Sequence, residues 1–217
     1  MPKKVDHYTR RADIAMAAFR VIGRKGVAGA TIRDIARETG YSVGAIVHYI
    51  KSKDHILLAA EEYSTRVIRD RMVHAEAANR GVEALRQVIY SGLPTNDEMI
   101  GYWKIWFGFW ELSKLSERIK TILHGRYDES AVRYGRLIRG AQATGEISPA
   151  ISVADAATSL NCQMDGIGVH VVMSGRPMSA EKQRQLIELW IDSVLVRGTN
   201  LGVPALDSSA FIPPLRR

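Results

Sequence analysis

Two groups of residues in this sequence have the types and spacing for recognition chemistry, and they call for different partners. The first runs from Thr31 to Lys53. Thr31 and Ser42 each precede a short apolar-periodic segment, where a hydroxyl caps a helix whose N–H groups face an anion, and Lys53 adds a flexible cation. Arg33 and Tyr49 bring further side-chain donors. Such donors suit phosphate, which fixes register without reporting base identity. Gly44 and Ala45 are small enough to let a helix start enter a duplex groove closely, and His48, one turn on, can touch base edges. Tyr41 and Val43 complete this candidate nucleic-acid surface. The second group is Tyr102-Trp103-Lys104-Ile105-Trp106-Phe107-Gly108-Phe109-Trp110-Glu111, which holds three of the four tryptophans. Trp103, Trp106, Phe107 and Trp110 fall at i, i+3, i+4 and i+7, on one helical face. That face is either core or the wall of a cavity, and the sequence leaves both open. As a wall it would hold a small molecule, with Met164 and Asp165 as companions from a later segment. A cationic ligand would gain about 0.5–2 kcal/mol per ring face, with Glu111 or Asp165 as counter-charge.

Catalytic chemistry has no such support. Metal-ligand spacings, a glycine-rich phosphate loop and a nucleophile elbow are missing, and the six histidines are scattered. Asp165 and His170 are separated by five residues, which directs them to different faces of a helix. No enzyme, metal or cofactor is expected. The single cysteine, Cys162, excludes an intrachain disulfide and is expected to be a buried, inert thiol. The opening Met-Pro-Lys-Lys-Val lacks the apolar stretch of a secretory signal. Charge-free runs such as 166–175 are about half the roughly 18–20 residues a spanning helix needs. A cytoplasmic, soluble protein without a membrane partner is therefore expected.

The elements that must position these groups are helical. Ile14, Ala18, Val21 and Ile22 set a first helix over 9–25, ending at Gly26. Thr31 opens a second, with Ile32, Ile35 and Ala36 inward and Gly40 as its stop. Ser42 opens a short third, with Ile46, Val47 and Ile50 expected to be buried. The result is a tight helix-turn-helix. Ser52 precedes a longer amphipathic helix running to about Ala78, with Ile56, Ala60, Tyr63 and Val67 on its apolar side. Breaks then fall at Gly92-Leu93-Pro94, at 145–149 and at Gly175-Arg176-Pro177. Helices are predicted over 97–113, from a box at Thr95 to Glu98, over 153–174, from one at Ser152 to Asp155, and over 179–197. Leu160, Met164, Ile167 and Val171, then Leu186, Leu189, Trp190 and Val194, form apolar stripes that could face the core or a second copy. The division expected is 1–53 as DNA-binding domain, 54–78 as connector, 79–198 as ligand-binding and dimerisation domain, and 199–217 as a loosely held tail. The fold class is all-α.

Charge favours the first group's assignment. Residues 1–53 hold 11 of the 30 Lys and Arg against 4 of the 23 Asp and Glu, so this quarter carries the whole formal charge of +7. A local excess of one sign argues for a polyanionic partner. A non-specific architectural DNA-binding protein, a basic membrane-surface protein and a helical enzyme are the rival readings.

The segment Ala30-Thr31-Ile32 through Lys53-Asp54 resembles the N-terminal domain of the TetR family of repressors, over roughly residues 9–60. The resemblance implies a three-helix DNA-binding domain, a connector helix, a homodimer on a palindromic operator, and release by a small-molecule effector. It places Thr31, Arg33, Ser42, Gly44, His48, Tyr49 and Lys53 at positions that commonly meet DNA. Val47 stands where the family often has Tyr, and Ile50 where it usually has Phe. Lys104-Ile105-Trp106-Phe107-Gly108-Phe109-Trp110, Asp165-Gly166 and Ser174-Gly175-Arg176-Pro177 are similar to the choline-responsive BetI branch of that family. This implies a cationic or aromatic effector, and a dimer interface in which the last two helices pair with their copies as a four-helix bundle.

Overall fold

The computed structural model describes residues 7–174 and 178–196. Among the described residues there are helices and no strand. The order is α1 (His7–Gly29), α2 (Ile32–Thr39), α3 (Val43–Val47), α4 (Lys53–Ala78), α5 (Gly81–Gly92), α6 (Asp97–Ser113), α7 (Glu117–Ala143), α8 (Val153–Val172) and α9 (Ala180–Trp190). A π-helix over Ile191–Val196 continues α9. The all-α class read from the periodicity is what the chain adopts.

Local chemistry explains most of the boundaries. Thr31, Ser42, Ser52, Ser116, Ser152 and Ser179 each accept a hydrogen bond from the backbone N–H three residues on, satisfying one orphan donor of the helix that follows. Gly40, at φ 72°, closes α2 in the left-handed conformation that a side chain would strain, and so sets the turn into α3. Helix α1 departs from helical geometry at Gly26, the expected stop, although helical hydrogen bonding resumes to Gly29.

Four details differ from expectation. Asn96, not Thr95, caps α6, because its side chain accepts from Met99 N. Val47 is 43% exposed, since the five-residue α3 buries only the side bearing Ile46. Regular α-geometry in the last helix ends at Trp190, six residues short of the π-helix end. Cys162 is exposed on α8, because its neighbours Leu160 and Met164 take the inward positions. The expected break at 175–177, Arg197 and the expected tail 199–217 lie outside the described residues.

Apolar side chains gather in two clusters. Ile14, Ala18 and Ile22 of α1 meet Ile35, Ile46, Ile50 and Leu57 in the first. Leu85 and Ile89 of α5, Tyr134 and Ile138 of α7, Leu160 and Ile167 of α8, and Ile187 and Trp190 build the second. Helix α6 serves both, sending Ile105 and Phe109 into the first and Trp103 and Phe107 into the second. Its contact with α1 is close. A Cβ at Gly101 would lie 3.6 Å from Gly23 Cα, and the Lys104 ammonium donates to the Gly23 carbonyl.

Candidate functional site

The outward side of α3 carries Val43, Gly44, Val47 and His48, all exposed, while Ile46 and Ile50 anchor the helix beneath. A Cβ at Gly44 would meet nothing within 4 Å, so this end of α3 is open to a close-approaching surface. Ser42 is exposed at the N-terminus and accepts from Ala45 N at 3.2 Å; Ala45 itself is half-buried. Thr31 caps α2, and its hydroxyl also donates to Asp34 Oδ2 at 2.7 Å. The same Asp34 takes Lys25 at 2.6 Å, and these two donors hold its carboxyl below the usual range. Arg33 is exposed on α2. Tyr41 is used internally. Its hydroxyl donates to Asp13 Oδ2 at 2.5 Å, which raises its pKa, and Arg10 lies over its ring at 4.9 Å. Tyr49 is half-buried and its hydroxyl meets His7 Nδ1 at 2.9 Å. Lys53 begins α4. The structure thus brings Ser42, Val43, Gly44 and His48 onto one face, and adds Val47, which sequence reasoning placed inside.

A cavity of about 640 Å³ lies among α4, α6, α7 and α8. Four of the six candidate ligand residues line it: Trp103 and Trp106 from α6, Met164 and Asp165 from α8. Phe107 and Trp110 do not. Phe107 sits in the second apolar cluster at 9% exposure, and Trp110 packs edge-on against it at 5.4 Å. Glu111 is exposed and away from the lining. The aromatic face is therefore both things at once: its first turn is wall and its second is core. Trp103 is held in place by a hydrogen bond from Nε1 to the Gly92 carbonyl at 2.9 Å. Gly168 lies against its ring so closely that a Cβ there would come within 2.3 Å of Cε3.

Asp165 is the chemical centre of this cavity. One carboxylate oxygen accepts from Trp106 Nε1 at 3.1 Å and the other from the Tyr127 hydroxyl at 2.7 Å. Among the described residues no guanidinium or ammonium pairs with it. Burial raises its pKa, and the two neutral donors only partly oppose that. Tyr127 responds in kind: burial and then the Asp165 hydrogen bond push its phenol far up, so it stays a donor. Its ring meets Trp106 at 5.1 Å, and Tyr102 and Tyr134 complete the aromatic lining. Sequence reasoning missed these tyrosines. The signal was Tyr127 and Tyr134 at i and i+7, in a segment that the polar residues between them disguise.

Ion pairs join this cavity to the helix below it. Arg126 of α7 contacts Glu61 of α4 through Nε at 2.8 Å and Nη2 at 2.6 Å, and Glu129 through Nη1 at 2.9 Å. Its neighbour Glu62 holds Arg11 of α1 at 2.9 Å. A second, more polar hollow of about 910 Å³ shares Thr65, Arg69 and Arg126 with the first and extends to His48 and Tyr49. Elsewhere among the described residues no cluster of three His, Cys, Asp or Glu is placed to hold a metal, and no helix is long and apolar enough to cross a membrane.

Known proteins place this architecture. Residues 14–60 match the family of bacterial regulatory proteins called tetR, and residues 81–196 match the C-terminal domain of BetI-type transcriptional repressors. The chain is 28% identical over 202 residues to the HTH-type transcriptional regulator PksA of Bacillus subtilis, covering 92% of this chain and 96% of that protein. It is 25% identical over 198 residues to the HTH-type transcriptional regulator BetI of Stenotrophomonas maltophilia, covering 88% and 96% respectively. A crystal structure of a protein from Saccharomonospora viridis in complex with choline superimposes with a TM-score of 0.80 at 28% identity, over 88% of this chain and 99% of that one. A helix-turn-helix head, a helical body of the BetI type and relatives that are regulators along nearly their whole length lead to one conclusion: the chain belongs to the TetR family of transcriptional regulators.

Proposed function

We propose that this regulator is a homodimeric repressor that holds a two-fold symmetric operator through α3 and releases it when an organic cation occupies the cavity. The observation that carries the effector reading is Asp165, a half-buried carboxylate that among the described residues accepts from two neutral donors and pairs with no cation, in a cavity lined also by Trp103, Trp106, Tyr102 and Tyr127. A carboxylate buried without a counter-charge is costly, and a cation against ring faces would supply the missing partner. The choline in the similar Saccharomonospora viridis structure supports that chemistry.

On the DNA side the working surface is Ser42, Val43, Gly44, Val47 and His48, with phosphate contacts assigned to Thr31, Arg33, Tyr49 and Lys53. Residues 1–53 read DNA, 54–78 connect, and 79–198 bind effector and dimerise. Exposed Val169 on α8, Met173 at its C-cap and Leu189 on α9 support a partner surface there, which also takes in Cys162. Two α3 helices about 34 Å apart then meet successive major grooves. The effector acts by favouring a different spacing of the two heads. Helix α6 is suited to transmit this, since its aromatic side lines the cavity and Gly101 and Lys104 grip α1.

The test is a footprint of the purified protein on DNA flanking its own gene, repeated with tetramethylammonium. A protected two-fold site that is lost with the cation supports the proposal. Protection no better on that DNA than on random duplex refutes operator binding, and protection unchanged by cation refutes the effector reading. His48→Ala should relax preference at one base position per half-site, at a cost of about 1–3 kcal/mol.

A further inference from the structure

We propose that the effector is dipolar: an alkylated ammonium joined by a short chain to an anionic group, with the cation at Asp165 and the anion at Arg133 and Arg136. This rests on the cavity being the effector site, and names what fills its far end.

Size gives the first argument. A bare cation of roughly seven non-hydrogen atoms, each given at most a water's share of about 30 Å³, fills roughly 200 Å³. That is about a third of the 640 Å³ present. The space present accommodates a longer molecule.

The placement of charge gives the second. Arg126 and Glu61 cancel in a pair whose side chains are 27% and 14% exposed. Arg69, at 3.7 Å, also leans on Glu129, and Asp128 is exposed to solvent. At the other end, Arg133 and Arg136 share one carboxylate. Glu76 receives Arg136 through both Nη atoms and Arg133 through a single contact of 3.3 Å. The Arg133 side chain is only 22% exposed, and among the described residues the shared carboxylate leaves one positive charge uncompensated in that wall. The partly buried charges therefore sum to a dipole, negative at Asp165 and positive at Arg133–Arg136. A guanidinium in that setting is suited to bind carboxylate or phosphate.

Distance gives the third. At 1.5 Å per residue, Arg133 lies about 9 Å and Arg136 about 14 Å beyond Tyr127 along the axis of α7, and Tyr127 marks the Asp165 end. The contacts that the ligand makes at its two ends, each of about 3–4 Å, take up part of that gap. A linker of four to six bonds, roughly 5–7 Å, closes the remainder.

The test is calorimetric titration of the full chain with choline, 4-(trimethylammonio)butanoate and phosphocholine. The two anion-bearing probes should bind at least tenfold more tightly than choline, and whichever is stronger tells carboxylate from phosphate. Arg133→Gln should remove that advantage while choline affinity stays within threefold. Arg136→Gln, at a half-exposed site, should remove part of it and serves if the first variant does not fold. Choline binding as tightly as both anion-bearing probes overturns the dipolar assignment and leaves the cation site standing, as does an advantage that survives both substitutions. Saturable binding by none of the three overturns the cation site together with the dipole.

Discussion

Asp165→Asn separates a ligand's counter-charge from a structural carboxylate, because the two roles predict opposite signs. The substitution keeps shape: the amide oxygen accepts from Trp106 Nε1, 3.1 Å from Oδ1, and the amide N–H donates to the Tyr127 hydroxyl, which turns to accept. It removes a charge that burial already disfavours and that no cationic side chain among the described residues offsets. Folding stability should therefore be unchanged or raised, since the price of desolvating the charge disappears. Effector affinity should fall. A cation about 4 Å from the carboxylate gains about 1 kcal/mol in water and about 4 kcal/mol at an effective dielectric near 20. A cavity with a half-buried carboxylate lies between, so a loss of about 2–3 kcal/mol, or roughly 30- to 150-fold, is expected. Aromatic contacts worth about 0.5–2 kcal/mol per ring should leave weak residual binding. Tryptophan fluorescence titrated with tetramethylammonium reads the affinity, and thermal unfolding without ligand reads the stability. An Asn variant that binds as well as the parent refutes the counter-charge role. A drop in melting temperature of several degrees with affinity intact makes Asp165 a core hydrogen-bonding group.

The raised pKa of Asp165 sets a pH dependence. A cation favours the ionised carboxylate, so affinity should fall as pH drops through the raised pKa, beginning above the value of about 3.9 for an ordinary aspartate, with protons released on binding in that window. Without ligand the folded state holds this proton more tightly than the unfolded chain does. The group's contribution to stability should therefore decline as pH rises through the same interval, and Asp165→Asn should abolish both effects. Gly168→Ala would force a Cβ to within 2.3 Å of the Trp103 ring and should cost about 1–3 kcal/mol in urea unfolding, whereas Gly140→Ala on α7, with open space around it, should stabilise by about 0.5–1 kcal/mol. Equal effects would show that the Trp103 contact imposes no constraint. Arg126→Gln should destabilise more than the double variant does, because it strands the partly buried Glu61 carboxylate, and more than Glu61→Gln, which leaves Arg126 paired with Glu129. A double-mutant cycle read by operator release should give a coupling of about 0.5–3 kcal/mol, and strict additivity would exclude this pair from transmission.

The sequence made the head and the helix starts legible because their causes are local. Thr31, Ser42, Ser52 and Ser152 cap the helices they precede, and Gly40 needs only its own backbone freedom to end α2. Val47 was misread because a helix of five residues has too few turns for periodicity to fix its faces. The aromatic run was ambiguous for a different reason. Trp106 and Trp110 share a helix stripe, yet whether a ring meets space or packing depends on α7 and α8, far along the chain. Asp165 was identifiable as a lone acid near an apolar segment, but its bond to Tyr127 spans 38 residues and leaves no local trace. The Arg126–Glu61 pair, 65 residues apart, is invisible for the same cause.

Helix α6 is pinned on both sides, by Gly23 and Lys104 toward the head and by Gly168 against Trp103 toward the body. If an inducer acts from the cavity as proposed, that clamp restricts how inducer choice can be altered in this scaffold. Enlarging or recharging Trp103 or its near neighbours would disturb the grip on α1, so a variant selected for a new inducer there would forfeit obedience to it. The adjustable walls are those of α7 and α8, where Ser130, Val132 and Asn161 face the same space without a second obligation to the head.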